Sequence, residues 1–432
     1  MKRSATPKEI TTITICIICL LLASAASATD ITELIRAARH QPDIQDSELA
    51  ITESGLQVDL AYAALYPKID AVARYEKYNS PTNLRPLPPT EVNPLRGDPV
   101  PFSNDIFRYG VTFQMPVYVQ SVYTLAGKMK LLKEKAGLQK QIDVVKKEAA
   151  IVSLNSTMTY LDGVQKAIIS RKASLAETIS SLTIKVDTGR TAEAELMKVQ
   201  KLMADLERQE NDISQKQLEI TRDIYKLTQM EIRAPLPMTL KTALVQDRFI
   251  AVQAIEKEVA AAEKDVQRAR EQFYPSVYLE GFLSENEGTA YNTDSHIDRT
   301  YNGVSLILKI PLFEKSTYVS NETARIRLKR SQKGLEKTRI ELEALAGYLN
   351  QRLPLIESAI RLAESSVGQS EELLKIAAVA YRTERITTEE YLRYEADVLQ
   401  AQSETHRSLN DRWQVIAQQA VLYGNDLEGD IQ

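Results

Sequence analysis

The chain has 432 residues and a formal net charge of −4. Its 54 lysines and arginines nearly balance 58 aspartates and glutamates, which excludes a basic nucleic-acid-binding surface as the organising feature. Both cysteines, Cys16 and Cys19, fall within the first 28 residues, which excludes disulfides, thiolate catalysis and cysteine–metal sites from the rest of the chain.

The first element reads as an export signal. Lys2, Arg3 and Lys8 precede an apolar run over residues 13–22, and Ala26-Ser27-Ala28 supplies an A-x-A cleavage site, so residues 1–28 are expected to be a signal peptide. The run is short for a spanning helix, although an uncleaved anchor would show the same run. This segment sets Lys2, Arg3 and Lys8 against Glu9, net +2, which leaves −6 on the remainder. Neither cysteine follows a small residue, as a lipoprotein signal requires: Cys16 follows Ile15 and Cys19 follows Ile18.

An amphipathic helix is expected over residues 44–65, stopped by Pro67. The period then changes to 2. Ile69, Ala71, Ala73 and Tyr75 alternate with Asp70, Arg74 and Glu76; Phe107, Tyr109, Val111, Phe113 and Met115 alternate with Arg108, Gly110, Thr112 and Gln114. Strands are therefore expected over residues 68–78 and 106–116, joined by a proline-rich loop over 79–105. Next comes a helix over residues 118–186, with apolar residues at Leu138, Ile142, Val145, Ala149 and Val152 and then, after a phase shift, Leu154, Met158, Leu161, Ile168, Leu175, Ile179 and Leu182. Steps of 3 and 4 make a coiled-coil seam, and about 65 residues of helix rise about 100 Å. The segment 187–190 breaks it, and a second helix runs back over 191–230 to the proline pair Pro235 and Pro237.

The chain then repeats itself. A helix over residues 249–273 ends at Pro275, and strands are expected over 276–284 and 301–311 with a polar loop over 285–299 between them. A hairpin follows over 317–422, its turn at 382–387, with Pro354 inside the outgoing helix as a source of bending. Gln114-Met115-Pro116-Val117-Tyr118 corresponds to Lys309-Ile310-Pro311-Leu312-Phe313 at an offset of 195, whereas Tyr66-Pro67 corresponds to Tyr274-Pro275 at an offset of 208. The 13 extra residues of the first copy fall in its long loop. A period near 200 is too long for a solenoid unit and is the size of a duplicated half-protein. The expected organisation is a first repeat over 29–235, a second over 236–425 and a tail over 426–432.

Strands of about ten residues with one apolar face suit an outer-membrane barrel, although a soluble sandwich shows the same alternation. Four strands cannot close a barrel, and eight make one filled with side chains. An open edge has no partner in lipid. Three chains would supply twelve strands and twelve hairpin helices, with the polar strand residues Arg74, Glu76, Arg108 and Lys309 lining water.

The order of these elements resembles the TolC-like outer membrane efflux protein family across essentially the whole chain after the signal. The most specific residues are the two strand-to-helix junctions quoted above and the two hairpin turns. The family turn carries a glycine, then an acid six positions on, then a leucine-containing pair; here these are Gly189, Glu195 and Leu196-Met197, and in the second copy Glu384, Glu390 and Tyr391-Leu392. The second turn thus lacks the family glycine. The resemblance implies a mainly α fold with a β-barrel portion: a trimeric channel-tunnel whose 12-stranded outer-membrane barrel continues into an antiparallel α-helical barrel in the periplasm. It implies the passive exit duct of a tripartite efflux or type I secretion system. The implied partners are two further copies of the chain, outer membrane lipid, a periplasmic adaptor (membrane fusion protein) and an inner-membrane RND or ABC transporter. The tips, Thr188, Gly189, Arg190, Thr191 and Glu195 with Thr383, Glu384, Arg385, Ile386, Thr387 and Glu390, would form the closed periplasmic entrance and meet the adaptor. Where the family often carries a second acid, this chain has Arg393, which can pair with Glu390 along the helix.

No cofactor is implied. His40, His296 and His406 are far apart and lack a metal-site pattern, and there is no phosphate loop or nucleophile elbow. Arg190 and Arg385 could latch neighbouring protomers, help satisfy a carbonyl at their own turns, or be merely solvated. Glu195 and Glu390 suit a pore ring and equally the first turn of a helix, where the dipole favours acids. Tyr75, Tyr78, Tyr109 and Tyr301 could form an interface girdle or be ordinary strand aromatics. The competing class is a periplasmic adaptor or structural coiled-coil protein, which explains the hairpins but not the strands.

Overall fold

The computed structural model describes residues 30–88 and 97–432. The expected signal segment and the middle of the first long loop lie outside the described residues. In chain order the elements are α1 (Ile31–Arg39), α2 (Pro42–Ala63), β1 (Lys68–Asn83), β2 (Phe102–Tyr118), α3 (Gln120–Asp187), α4 (Glu193–Thr228), α5 (Ile250–Glu271), β3 (Ser276–Thr289), β4 (His296–Lys309), α6 (Lys315–Arg382), α7 (Thr388–Tyr423) and the short α8 (Leu427–Asp430). In the paired helices the duplication is kept to the residue. The outgoing helices α3 and α6 each have 68 residues and start 195 apart; α4 and α7 each have 36. The shorter helices α2 and α5 each have 22.

The chain forms two compact units that cut across the repeats, each taking residues from both. One holds Glu48–Leu138 and Val252–Thr338. Its centre is a four-stranded antiparallel sheet in the order β1-β2-β3-β4. The middle pair joins the two repeats, with Val111 opposite Leu283 and Met115 opposite Leu279. Register keeps the apolar sets on one face. Ile69, Ala71, Ala73 and Tyr75 oppose Phe113, Val111, Tyr109 and Phe107, and Leu279 and Val277 oppose Leu306 and Leu308. A one-residue slip would move each set to the other face. The strands run longer than the alternation implied. Backbone pairing continues past the apolar run through polar residues such as Glu287 opposite Asp298, because ladder bonds do not depend on side-chain hydropathy. The second loop therefore shortens to residues 290–295. At this end Leu84, Ile106, Ala290 and Ile297 form a small core of their own. Asn292 clamps the loops by accepting from the Val100 amide (3.1 Å) and donating to the Asp98 carbonyl (3.0 Å). Beyond the sheet, α3 and α5 are laced by Lys128–Asp265, Lys135–Glu258 and Lys257–Glu134 at 2.6–2.7 Å.

The other unit holds the described residues up to Ser47, Gln139–Ala251 and Arg339–Gln432. Here the expected seam is the core. Val145, Ala149, Val152, Met158, Leu161, Ile168, Leu175 and Leu182 of α3 are buried with Val199, Leu206, Ile213 and Ile220 of α4, and the α4 residues recur every seven positions. Leu349 and Ile356 of α6 pack on Val415 and Leu422 of α7. Helix α6 continues through Pro354. The ring removes the amide that would reach residue 350, and Gln419 Nε2 donates to the Asn350 side chain there (3.1 Å). Helix α1 was not anticipated. Asp30 caps it by accepting from the Ile31 amide, and it buries Ile31, Leu34, Ile35 and Ala38. The link between the repeats is held by asparagines acting as strand mimics. Asn155 pairs both ways with the Leu236 backbone (2.8 and 2.9 Å), and Asn425 does the same with Val245 (3.1 and 3.0 Å).

Candidate functional site

The two hairpin tips lie side by side, both within the second unit described above. Each outgoing helix ends in the same way. The Gly189 amide donates to the Val186 carbonyl (2.9 Å) and the Arg190 amide to Lys185 (2.8 Å); the Glu384 amide donates to Tyr381 (3.0 Å) and the Arg385 amide to Ala380 (2.8 Å). This is a helix end closed by a left-handed residue. Gly189 has φ 70° and Glu384 φ 57°. The turn that lacks the family glycine keeps the glycine conformation. Thr188 and Thr383 bend their hydroxyls back to the carbonyls of Ile184 (2.8 Å) and Val379 (3.1 Å).

Side chains then join the tips. Lys185 reaches Glu384 (3.5 Å) and sits over the Tyr381 ring (5.7 Å). Tyr381 stacks on Tyr391 with ring centroids 4.7 Å apart and planes 7° apart. A cleft of about 700 Å³ opens here, lined among others by Lys185, Arg190, Thr191, Glu195, Ile386 and Thr387. The acids have separate duties. Glu390 completes a capping box: the Glu390 amide donates to Thr387 Oγ1 (3.1 Å) and the Thr387 amide to Glu390 Oε2 (2.9 Å). That backbone bond and the Thr387 hydroxyl hold the Glu390 carboxyl below the usual carboxylate range, with Arg393 adding a smaller pull. Glu195 pairs with Lys198 along its own helix (2.9 Å). Arg190 and Arg385 make no ion pair among the described residues of the chain, and both are exposed.

Three of the four expected polar sheet residues converge. Arg74 and Arg108 are cross-strand partners, and Glu76 receives both, from Arg74 Nη1 (3.2 Å) and Arg108 Nε (2.8 Å). Arg108 also donates to the carbonyls of Leu84 (2.6 Å) and Asn83 (3.2 Å), so it braces the loop. Lys309 sits at the opposite end of the sheet, opposite Ser276. The four tyrosines divide between faces. Tyr75 and Tyr109 share the apolar face, their hydroxyls donating to Asp105 and Glu287 (both 2.9 Å). Tyr78 donates to Glu76 (2.9 Å), and Tyr301, opposite Ser284, packs on Phe282, so both belong to the polar face. A single girdle of these four is not formed.

Sequence reasoning missed Lys185 and Tyr381, and it read Tyr391 as part of the turn pattern without its stacking partner. It also missed a charged cluster on α1. Arg39 binds the fully buried Glu148 (2.7 Å), Asp426, and Glu428 (2.9 Å), while Glu148 Oε2 accepts from the Leu427 amide (3.0 Å). An acid three residues after Val145 on a seam face was the available clue. Among the described residues no three His, Cys, Asp or Glu side chains are placed to hold a metal. No helix among them is long and apolar enough to cross a membrane.

The geometry defines a class: a four-stranded sheet with one exposed apolar face, joined to paired helical hairpins of equal length. Residues 240–422 match the family model of the outer membrane efflux proteins. No curated protein sequence matches the chain. Solved structures that share its fold include three outer-membrane proteins. The outer membrane protein VceC from Vibrio cholerae has a TM-score of 0.75 at 16% identity, covering 91% of this chain and 96% of its own. The CmeC outer membrane channel of Campylobacter jejuni has 0.74 at 14%, covering 91% and 84%. The open state of the Neisseria gonorrhoeae MtrE outer membrane channel has 0.73 at 13%, covering 93% and 90%. Over residues 240–422 the chain is thus similar to the outer membrane efflux proteins, and over nine-tenths of its length it shares the fold of these channels.

Proposed function

We propose that the chain is the passive outer-membrane duct of an export system, assembled as a trimer. The observation that carries this is the sheet. Ile69, Tyr75, Leu283, Val304, Leu306 and Leu308 are each 60–72% exposed, and register places them all on one face. Among the described residues, strands β1 and β4 each lack a partner on one side. Water would not favour the face, and lipid would not accept the edges. Copies of the sheet joined β4 to β1 meet both demands, and three copies make twelve strands, enough for a lumen.

The hairpin tips serve as the periplasmic entrance, engaged by a periplasmic adaptor linked to an inner-membrane RND or ABC transporter. Lys185–Glu384 fastens the two tips of one chain. Arg190 and Arg385 are left to meet acids of the neighbouring copy; Glu195 lines the cleft beside Arg190 and, with Glu390, a second cleft next to it. Exposed pairs are weak singly, but a threefold assembly repeats each one. No group for covalent chemistry is involved, so the driving energy belongs to the partner transporter.

The test is the full chain expressed in a Gram-negative host. It should fractionate with the outer membrane and run as a heat-modifiable trimer, and Arg190→Ala with Arg385→Ala should raise single-channel conductance in planar bilayers. A soluble monomer would sink the duct reading. A trimer whose conductance is unmoved by the double change would remove only the arginine latches.

A further inference from the structure

We propose that the polar face of the sheet carries an arginine row that makes the lumen of this section prefer anions. This rests on the reading of the sheet as a barrel segment with its polar face inward. Register lines up Arg74 with Arg108, Arg108 with Asn286, and Asn286 with Arg299. The four positions form one row across all four strands, which lie about 4.8 Å apart. Three of the four are arginine.

The row has little to neutralise it. Glu76 is one residue pair further along and takes both Arg74 and Arg108. Asn286 is buried and satisfied, accepting from Ser284 Oγ (2.9 Å) and donating to the Arg299 carbonyl (3.2 Å). Arg299 donates to the Asp298 backbone carbonyl and has no carboxylate partner among the described residues. Among the described residues, each chain thus presents three guanidiniums against one carboxylate at this level. The remaining acids of this end are segregated. Glu285 and Glu287 lie opposite Tyr109 and Phe107, on the apolar face. Like charges directly across a strand pair oppose folding, so the arrangement concentrates positive charge on the face turned to the lumen. Three copies close the row into a ring. Rings of arginine or lysine side chains are the physical basis of anion preference in pores, through charge and bidentate guanidinium bonding. The ligand class is small polyanions bearing carboxylate or phosphate groups.

The three arginines are not equal. Arg108 is 26% exposed and braces loop carbonyls, whereas Arg74 is 67% exposed. Arg74 and Arg299 are therefore the positions to change. The full chain is reconstituted in planar bilayers under a potassium chloride gradient, and the anion-to-cation permeability ratio is read from the reversal potential. Arg74→Gln with Arg299→Gln should lower the ratio severalfold and weaken block by tripolyphosphate. Arg74→Lys with Arg299→Lys, which keeps the charge, should retain most of the preference. Lys77→Gln, on the apolar face, should leave it unchanged. A ratio and a block that are the same in the wild type and the glutamine variant, both trimeric, would overturn the proposal and leave the duct reading standing. A wild-type chain that forms no channels and stays a soluble monomer would overturn both.

Discussion

Single residues set the cost of the hairpin turns and the acid response of the helical unit. Glu384 occupies a left-handed conformation that costs a side-chain-bearing residue about 1–2 kcal/mol. Its pair with Lys185 returns little, because the Glu384 side chain is 75% exposed. Glu384→Gly should stabilise the chain by about 1 kcal/mol in thermal unfolding, and Glu384→Val should destabilise it. A glycine variant less stable than the wild type would show that the Lys185 bridge outweighs the turn. Glu148 tells a different story. Burial raises its carboxyl to about 6, against the pull of Arg39 and the Leu427 amide. The folded chain therefore holds this proton more tightly than the unfolded chain. The resulting stabilisation is fully present below about pH 4.5 and is lost as pH rises through about 6, a difference of about 2 kcal/mol. Glu148→Gln should flatten the dependence of thermal stability on pH across that window, and an unchanged slope would assign it elsewhere. Carboxyls held low, such as Asp43 beside Lys147, act in the opposite sense and only at lower pH.

At the scale of elements, the close approach of strands makes its own demand on sequence. A methyl group on Gly110 would lie 1.9 Å from the Leu283 carbonyl oxygen, a backbone atom that can move only if β2 and β3 part. Gly127, inside α3, has no neighbour that an added methyl would meet. Gly110→Ala should therefore cost at least about 1–3 kcal/mol and lower the yield of folded trimer. Gly127→Ala should be neutral or stabilising by up to about 1 kcal/mol. Equal effects from the two, measured by thermal unfolding and trimer yield, would contradict the strand geometry. Element existence was legible because periodicity reports it. The seam of Val145, Val152 and Leu175 and the alternation of Ile69 to Tyr75 reappear as buried core and as one sheet face. Strand ends were not legible, since pairing of Glu287 with Asp298 leaves no hydropathic trace. Helix α1 carries its own signal, with Ile31, Leu34, Ile35 and Ala38 at helical spacing behind the Asp30 cap, but its nine residues fall short of the window over which a period was sought.

At the scale of the whole molecule, surface left uncovered by one chain calls for more chains. Tyr348, Leu355, Leu362 and Ile376 of α6 fall at multiples of seven residues and are 54–70% exposed. A heptad stripe without a partner among the described residues of its own chain is the face a neighbouring helix would cover. Leu355→Lys with Leu362→Lys should leave the monomer folded, because both side chains point to solvent within the chain, and should reduce the trimer fraction in detergent. Analytical ultracentrifugation decides the matter, and an unaltered trimer would place the seam elsewhere.

The sequence by itself determined the repeat, the helix and strand periods and the turns, because each depends on residues near one another along the chain. It also carried the offset that makes α3 and α6 equal in length. Only the tertiary structure decided which side chains meet. Arg299 joins Arg74 through two intervening strands, Lys185 reaches Glu384 across two hairpins, and Glu148 meets Arg39 and Leu427 from distant segments. Periodicity fixes the face a residue occupies. Register between strands and contact between helices fix its neighbour, and these are set by long-range packing that no local pattern records.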